Sequence, residues 1–193
     1  MGIRLHVYAL SDGTIESIAA SPGRLDEILS RVAKPAGDLA SISPLVNYLR
    51  SLAKFLRPKL SEGANISIDK AWHGLHYLLS GTAWDGVPPL NFLLKGGVGI
   101  SDDEGSVEHR LYTSRQVQDI RQALISVDIA QLQARVDPEA FVKFDIYPHI
   151  QVKGRANAPS GADSKYYTHH FLRLKEFISR AAIANLGVIT SRG

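Results

Sequence analysis

One stretch of this 193-residue sequence, residues 69–81, combines several residue types that can do chemistry. It reads Asp-Lys-Ala-Trp-His-Gly-Leu-His-Tyr-Leu-Leu-Ser-Gly. Asp69 can cap the first turn of a helix and Gly81 can end one in the left-handed conformation, so the stretch predicts about three turns of helix. His73 and His76, three residues apart, then share one side of that helix, where their rings could reach a common point.

Two histidines near a carboxylate are typical of general acid–base catalysis, because imidazole titrates close to neutral pH. Asp69 stands one turn before His73 and could orient its ring, and Asp137 and Asp145 are other carboxylates that could do so. His76, His73 and Asp69 are therefore candidate catalytic residues. Without an identifiable nucleophile, the chemistry they favour is that of a metal-independent hydrolase or lyase.

Other common chemistries lack their motifs. The histidine spacing matches no His-Glu-x-x-His or Glu-x-x-His metal motif, so no metal is predicted. The chain has no cysteine, which excludes disulfides, thiolate nucleophiles and cysteine-ligated zinc or iron. There is no Gly-x-Ser-x-Gly nucleophile turn. The glycines of residues 96–99 precede the acidic run 102–104, which indicates a tight turn and not a phosphate loop. No cofactor is expected.

Composition favours one globular domain spanning residues 1–193. The chain is 45% hydrophobic and long enough to bury a sizeable core. No apolar run approaches the roughly 18 residues that span a bilayer, and the first ten residues are too short and too charged for a signal peptide. The absence of cysteine suits a reducing compartment. We therefore predict a cytoplasmic protein without a membrane partner, and a net charge of +3 does not favour nucleic acid.

The order of predicted elements indicates an α/β fold, a single-domain layered sandwich in which a small sheet carries helices on both faces. Strands are predicted for residues 3–10, 90–94 and 187–190. Helices are predicted from their caps and apolar stripes, for residues 11–20, 21–34, 43–57 and 69–81 and beginning near residues 114, 128, 137 and 164. Residues 101–108 are predicted as an exposed loop, and the polar stretch 151–165 as a mobile loop.

Residues 69–81 resemble the signature helix of the YfbM-like family, small bacterial proteins that carry a domain of unknown function. Supporting matches extend over nearly the whole chain: Gly96-Gly97, Tyr112-Thr113-Ser114, Asp137-Pro138, Ile146-Tyr147-Pro148 and Gly187-Val188. The resemblance implies a single α/β layered domain and no established activity or cofactor. This chain departs from the family pattern after Tyr147-Pro148, where a tryptophan often follows and His149-Ile150 stands here.

The leading functional hypothesis is binding of a small molecule or a protein partner near residues 69–81, in a pocket that includes His73, His76 and Tyr147. The candidate ligand-binding residues are Lys70, Trp72, Tyr77, Tyr112 and Tyr147. Two alternatives stay open: the metal-independent enzyme described above, and an interaction protein that would expose a large apolar patch. The sequence does not discriminate among them, and it gives no oligomeric state.

Overall fold

The computed structural model of the protein describes residues 2–32, 60–101, 107–148 and 164–193. The strands in these ranges are β1 (Leu5–Leu10), β2 (Asn65–Ser67), β3 (Val98–Ser101), β4 (Glu108–Tyr112) and β5 (Gly187–Arg192). The α-helices are α1 (Asp12–Ala20), α2 (Leu25–Val32), α3 (Trp72–Ser80), α4 (Ser114–Ser126), α5 (Ile129–Ala134), α6 (Pro138–Lys143) and α7 (Ser164–Ile183). Short 3₁₀ turns, Pro22–Arg24 and Asp69–Ala71, lead into α2 and α3.

The strands form one sheet in the order β2-β1-β5-β4-β3, and every neighbouring pair is antiparallel. β1 and β5 are far apart in sequence, yet they pair over six residues, from Leu5 opposite Arg192 to Leu10 opposite Gly187. β5 lies at the centre of the sheet, where both of its neighbours satisfy its backbone. The sequence pattern alone did not give this order.

Alternating side chains on the strands supply a core on each face of the sheet. Val7 and Val188 point to one face, where they pack with buried residues of α3, α4 and α7. Leu10 and Ile189 point to the other face, which α1 and α2 cover. The predicted α/β layered sandwich with helices on both faces is therefore confirmed.

Most of the predicted helices are present, and their first turns show why. The side chains of Ser11, Thr113, Asp128 and Asp137 each accept a hydrogen bond from a backbone N–H in the first turn that follows. In α7 the predicted stripe is buried as expected, with Tyr167, Phe171, Leu174, Ile178 and Ala182 in the core. No helix in the described residues is long and apolar enough to cross a membrane.

The strand predicted for residues 90–94 is wrong. Asn91 O accepts hydrogen bonds from the N–H groups of both Leu94 and Lys95, at 3.1 and 2.9 Å, so the chain turns on itself there. The Asn91 amide also donates to Gly86 O at 2.7 Å. Phe92 and its two following leucines are apolar because this turn is buried in the core. A short apolar run does not by itself distinguish a strand from a buried turn.

The loop predicted for residues 101–108 is also corrected at both ends. Ser101 is the last residue of β3 and Glu108 the first of β4, two strands that the sequence analysis missed because both are too short for a clear periodic pattern. Residues 102–106 lie outside the described residues, as do the helix predicted for 43–57 and the loop residues 151–163. Ser164 and Lys165, which were included in the predicted mobile loop, open α7.

Candidate functional site

The helix predicted from residues 69–81 is present, but it begins later and is more deeply buried than expected. Gly81 ends it in the left-handed conformation, at φ 78°, and donates its N–H to Tyr77 O. Asp69 does not cap it: Asp69 lies in the 3₁₀ turn at φ 49°, and its carboxylate pairs with Arg4 at 3.1 Å. Both histidines are fully buried. Neither ring is therefore on the surface of the protein.

His73 has both ring nitrogens engaged by main-chain groups. The Tyr147 N–H donates to Nδ1 at 2.9 Å, and Nε2 lies 2.8 Å from Ala83 O. Since Nδ1 accepts, the proton must be on Nε2, which donates to the carbonyl. The ring also stacks on Trp72, with centroids 4.9 Å apart, and lies 4.2 Å from the Trp84 ring centroid. His73 thus joins the connector after α3 to the Tyr147 segment.

His76 differs from His73 in having no hydrogen bond within the described residues, although it is equally buried. Burial lowers the pKa of His76 to about 4, and the charges of His73 and Lys95 add to the shift. The main chain and the carboxylate of Asp85 act in the opposite direction and raise the pKa. At neutral pH His76 is therefore a neutral, weak base.

We expect the free energy of unfolding to fall by about 2 kcal/mol as the pH drops from about 6.5 to 4. The unfolded His76 takes up a proton near its ordinary pKa of 6.5, whereas the folded one does so only near 4, so acid favours the unfolded chain. Burial also lowers the pKa of His6 and of His170, so these two residues contribute to the same loss of stability in acid. Urea unfolding at several pH values measures the slope. If His76→Leu retained the full slope, the assignment to His76 would be wrong.

The remaining predicted residues divide into two groups. Tyr147 stacks on Trp72 with centroids 5.5 Å apart, and its hydroxyl lies with the Lys70 side chain against Gly2, where an added Cβ would be 2.6 Å from each. These residues are therefore close to His73. Tyr77 instead packs on Phe141, at 5.6 Å between ring centroids, elsewhere on the helix.

Tyr112 lies on β4 and is 3% exposed. Its hydroxyl lies 2.7 Å from Phe92 O and 2.6 Å from Lys95 O, and it donates its single proton to this pair. Burial raises the pKa of the Tyr112 hydroxyl. The phenol thus fastens the buried turn of residues 91–95 to β4 and offers no surface to a ligand.

Tyr112→Phe should lower the free energy of unfolding by about 1–2 kcal/mol, because it leaves the buried Phe92 carbonyl and the part-buried Lys95 carbonyl without this donor. Tyr8→Phe is the matched control: the Tyr8 hydroxyl is half-buried and makes no hydrogen bond within the described residues. That change should alter stability by less than about 0.5 kcal/mol. Chemical denaturation of both variants gives the comparison, and equal effects would contradict the role assigned to Tyr112.

A cleft of about 360 Å³ lies beside the first turn of α3. Its lining residues are Ile3, Trp72, Trp84, Ser101, Val107, Glu108, Arg192 and Gly193. We call it the Trp72–Trp84 cleft. Trp72 is 2% exposed and donates its indole N–H to Ile3 O at 3.2 Å, whereas Trp84 is 50% exposed. An indole left half in water beside a concavity is available for contact with another molecule.

Charged groups at the cleft come from the paired strands β4 and β5. Glu108 lies opposite Arg192 in register and accepts a hydrogen bond from its guanidinium, and it also accepts one from Arg110. The Arg192 guanidinium carbon is 5.0 Å from the Trp72 ring centroid, within range of a cation–π contact. Sequence analysis missed Trp84, Glu108 and Arg192. No local signal identifies them, because only the strand pairing brings them to α3.

The described residues contain no group of three or more histidine, aspartate or glutamate side chains placed to hold a metal ion. Of the predicted site residues, only Trp72 lines the cleft, while His73, Lys70 and Tyr147 lie behind or beside it. The cleft therefore offers stacking surfaces and charge. Its lining includes no imidazole.

Comparisons with known proteins agree on the fold and the family of this chain. The crystal structure of YfbM from Escherichia coli, a protein of unknown function, superposes with a TM-score of 0.64 at 15% identity, covering 98% of this chain and 99% of that one. At that identity the likeness shows a shared fold. No curated protein matches this sequence significantly. A family model described as "Domain of unknown function (DUF1877)" matches residues 1–191. This chain therefore belongs to the DUF1877 family and has a YfbM-like domain.

Proposed function

We propose that this domain binds a small molecule in the Trp72–Trp84 cleft. The observation that carries the proposal is that both tryptophans of the chain line one cleft, with an arginine in cation–π range of one of them. Ligand sites are concave, largely apolar and supplied with a few fixed polar groups, and volumes of roughly 300–1,000 Å³ are usual. This cleft has those features at the small end of the range.

A second cavity, of about 350 Å³, lies on the other face of the sheet between α2 and the strands. It is lined by polar groups that include Tyr8, Asp26, His109 and Ser191, without either tryptophan. Tryptophan supplies a large rigid contact area with little conformational freedom to lose on binding. The Trp72–Trp84 cleft is therefore the better supported site.

General acid–base catalysis by His73 or His76 has less support. A catalytic base must come within hydrogen-bonding reach of the substrate proton. His73 already uses both nitrogens on main-chain groups, and His76 is fully buried with a pKa of about 4. We therefore favour binding over catalysis as the role of this region. We place the protein in the cytoplasm, a proposal supported by its cysteine-free sequence.

Tryptophan emission tests the proposal directly, since the whole signal comes from the two residues in the cleft. The purified protein is screened against metabolites, nucleotides and divalent metals, with melting temperature and emission spectrum recorded together. A ligand at a hundred times its dissociation constant adds about 2.7 kcal/mol and raises the melting temperature. A cleft ligand should also change the emission.

The Trp84→Phe variant separates the cleft from other sites, because Trp72 is then the only reporter. A cleft ligand should still alter its emission, with weaker affinity than for the wild type. Compounds that raise the melting temperature while leaving emission unchanged in both proteins would place the ligand site elsewhere. A screen in which no compound changes either readout would reject the small-molecule proposal in favour of a protein partner.

A further inference from the structure

We infer that the ligand of the Trp72–Trp84 cleft is a planar carboxylate, recognised by the unused donors of Arg192 beside the half-exposed indole of Trp84. The inference rests on the proposed function, because it names the chemical class of the ligand for that same cleft. It is argued from the N–H donors at the cleft that have no acceptor within the described residues.

Arg192 supplies spare donors that are already held in place. Within the described residues its only side-chain hydrogen bond is the one from Nη2 to Glu108, so Nε and Nη1 have no protein acceptor there. A guanidinium has five N–H donors and no acceptor. The Trp72 ring, 5.0 Å from the guanidinium carbon, and the Glu108 carboxylate both contact this group. These contacts restrict its motion, which lowers the entropy that is lost when a ligand meets the donors.

Glu108, the one carboxylate side chain of the lining, already has a partner on each oxygen. Oε1 accepts from Arg110 and Oε2 accepts from Arg192. The cleft has donors to offer and a carboxylate that is engaged at both oxygens. It is accordingly suited to a ligand that brings acceptors and negative charge.

The exposed indole of Trp84 favours a planar ligand. Trp84 is half-exposed on the cleft, whereas Trp72 is 2% exposed and contacts the Arg192 guanidinium. A flat carboxylate can accept two parallel hydrogen bonds from an arginine while its ring stacks on an indole. A flat cation fits worse, since it would be repelled by Arg192 and would compete with it for Glu108. The small volume limits the ligand to one or two rings.

Benzoate, benzamide and benzamidine test the class, because the three have nearly the same shape and differ in charge. Each is titrated into ¹⁵N-labelled full-length protein while the two indole N–H resonances are followed, with Trp84→Phe assigning them. We expect benzoate to shift both resonances and to bind at least roughly tenfold more tightly than benzamide, the ratio that a charge-assisted hydrogen bond supplies. Benzamidine should bind most weakly, and added salt should weaken the binding of benzoate.

Two glutamine variants attribute the preference to a specific side chain. Arg192→Gln should reduce benzoate binding to the level of benzamide. Arg110→Gln likewise removes one positively charged partner of Glu108. Arg110, however, does not line the cleft, and its Nη1 donates to Gly96 O at 3.1 Å. That variant should keep the preference for benzoate. Melting temperatures of both variants establish that they are folded. The affinity of Arg192→Lys for benzoate should lie between those of the wild type and Arg192→Gln, because lysine keeps the charge but lacks the planar pair of donors.

The alternative outcomes separate this inference from the proposed function. Equal binding of benzoate and benzamide, or tightest binding of benzamidine, would overturn the carboxylate class and leave the cleft as a binding site. Indole resonances that none of the three compounds shifts would likewise overturn the class, and the emission screen would then decide separately whether the cleft binds anything else. Loss of the benzoate preference in Arg110→Gln would show that net charge, and not Arg192, is responsible, which also contradicts the inference.

Discussion

His73→Leu is expected to lower the free energy of unfolding by about 4 kcal/mol at neutral pH, whereas His76→Leu should change it by less than about 1 kcal/mol. The two residues are on the same helix, are of the same type and are both fully buried, so burial alone predicts equal effects. What distinguishes them is hydrogen bonding. His73 joins Ala83 O to the Tyr147 N–H, while His76 has no hydrogen bond within the described residues.

Leucine at position 73 would leave the part-buried Ala83 carbonyl and Tyr147 N–H without their partner. Each such group costs about 1–3 kcal/mol, and the ring contacts with Trp72 and Trp84 are lost in addition. Leucine at position 76 replaces a buried imidazole by an apolar side chain of similar size, which removes the cost of burying the two ring nitrogens without hydrogen bonds. Chemical denaturation of both variants measures the difference.

The same pair of variants bears on catalysis. If either histidine were a general base, its loss would abolish a turnover while leaving the melting temperature unchanged. The structure instead predicts that His73→Leu acts on stability first. Equal destabilisation by the two substitutions would show that the hydrogen bonds assigned to His73 contribute little, and would contradict its structural role.

Gly74→Ala should destabilise the protein by about 3 kcal/mol, although alanine is the better helix former. A Cβ at this position would lie 2.3 Å from Cε1 of Tyr167 and 2.7 Å from its hydroxyl. The ring cannot move aside easily, because Tyr167 is fully buried and its ring centroid is 5.4 Å from that of Phe141. Gly74 is therefore the point at which α3 and α7 approach each other.

Gly13→Ala is the matched control, since Gly13 lies in α1 and a Cβ there would meet no atom within 4 Å. That substitution should be neutral or stabilise the protein by up to about 1 kcal/mol. Thermal and urea unfolding of both variants check the pair. A double variant, Gly74→Ala with Tyr167→Leu, should be more stable than the sum of the single effects predicts, because the ring that clashes has been removed. Strict additivity would contradict the contact.

Much of the secondary structure was predictable from short-range chemistry. Ser11, Asp128 and Asp137 cap the helices that follow them, and Gly81 ends α3, through hydrogen bonds and backbone preferences that act over a few residues. The stripe on α7 identified core residues because the helical period places them on one side. These features depend on neighbours in sequence, which is why periodicity and capping rules capture them.

Tertiary packing determined the hydrogen bonds of the residues that were predicted to do chemistry. His73 and His76 look alike in sequence, but the packing of the connector after α3 and of the Tyr147 segment gives hydrogen bonds to only one of them. The apolar residues 90–94 became a buried turn because Asn91 and Tyr112 supplied partners for their backbone groups. Neither outcome follows from local propensity.

The cleft itself is a product of long-range pairing. Arg192 meets Glu108 across 84 residues of sequence because β4 and β5 are neighbours in the sheet, and Arg192 contacts Trp72 at the start of α3. The sequence by itself determined the helices, their ends, much of the core and the YfbM-like family. The strand order, and with it the site, was decided only by the tertiary structure, since strand pairing depends on which distant surfaces bury one another.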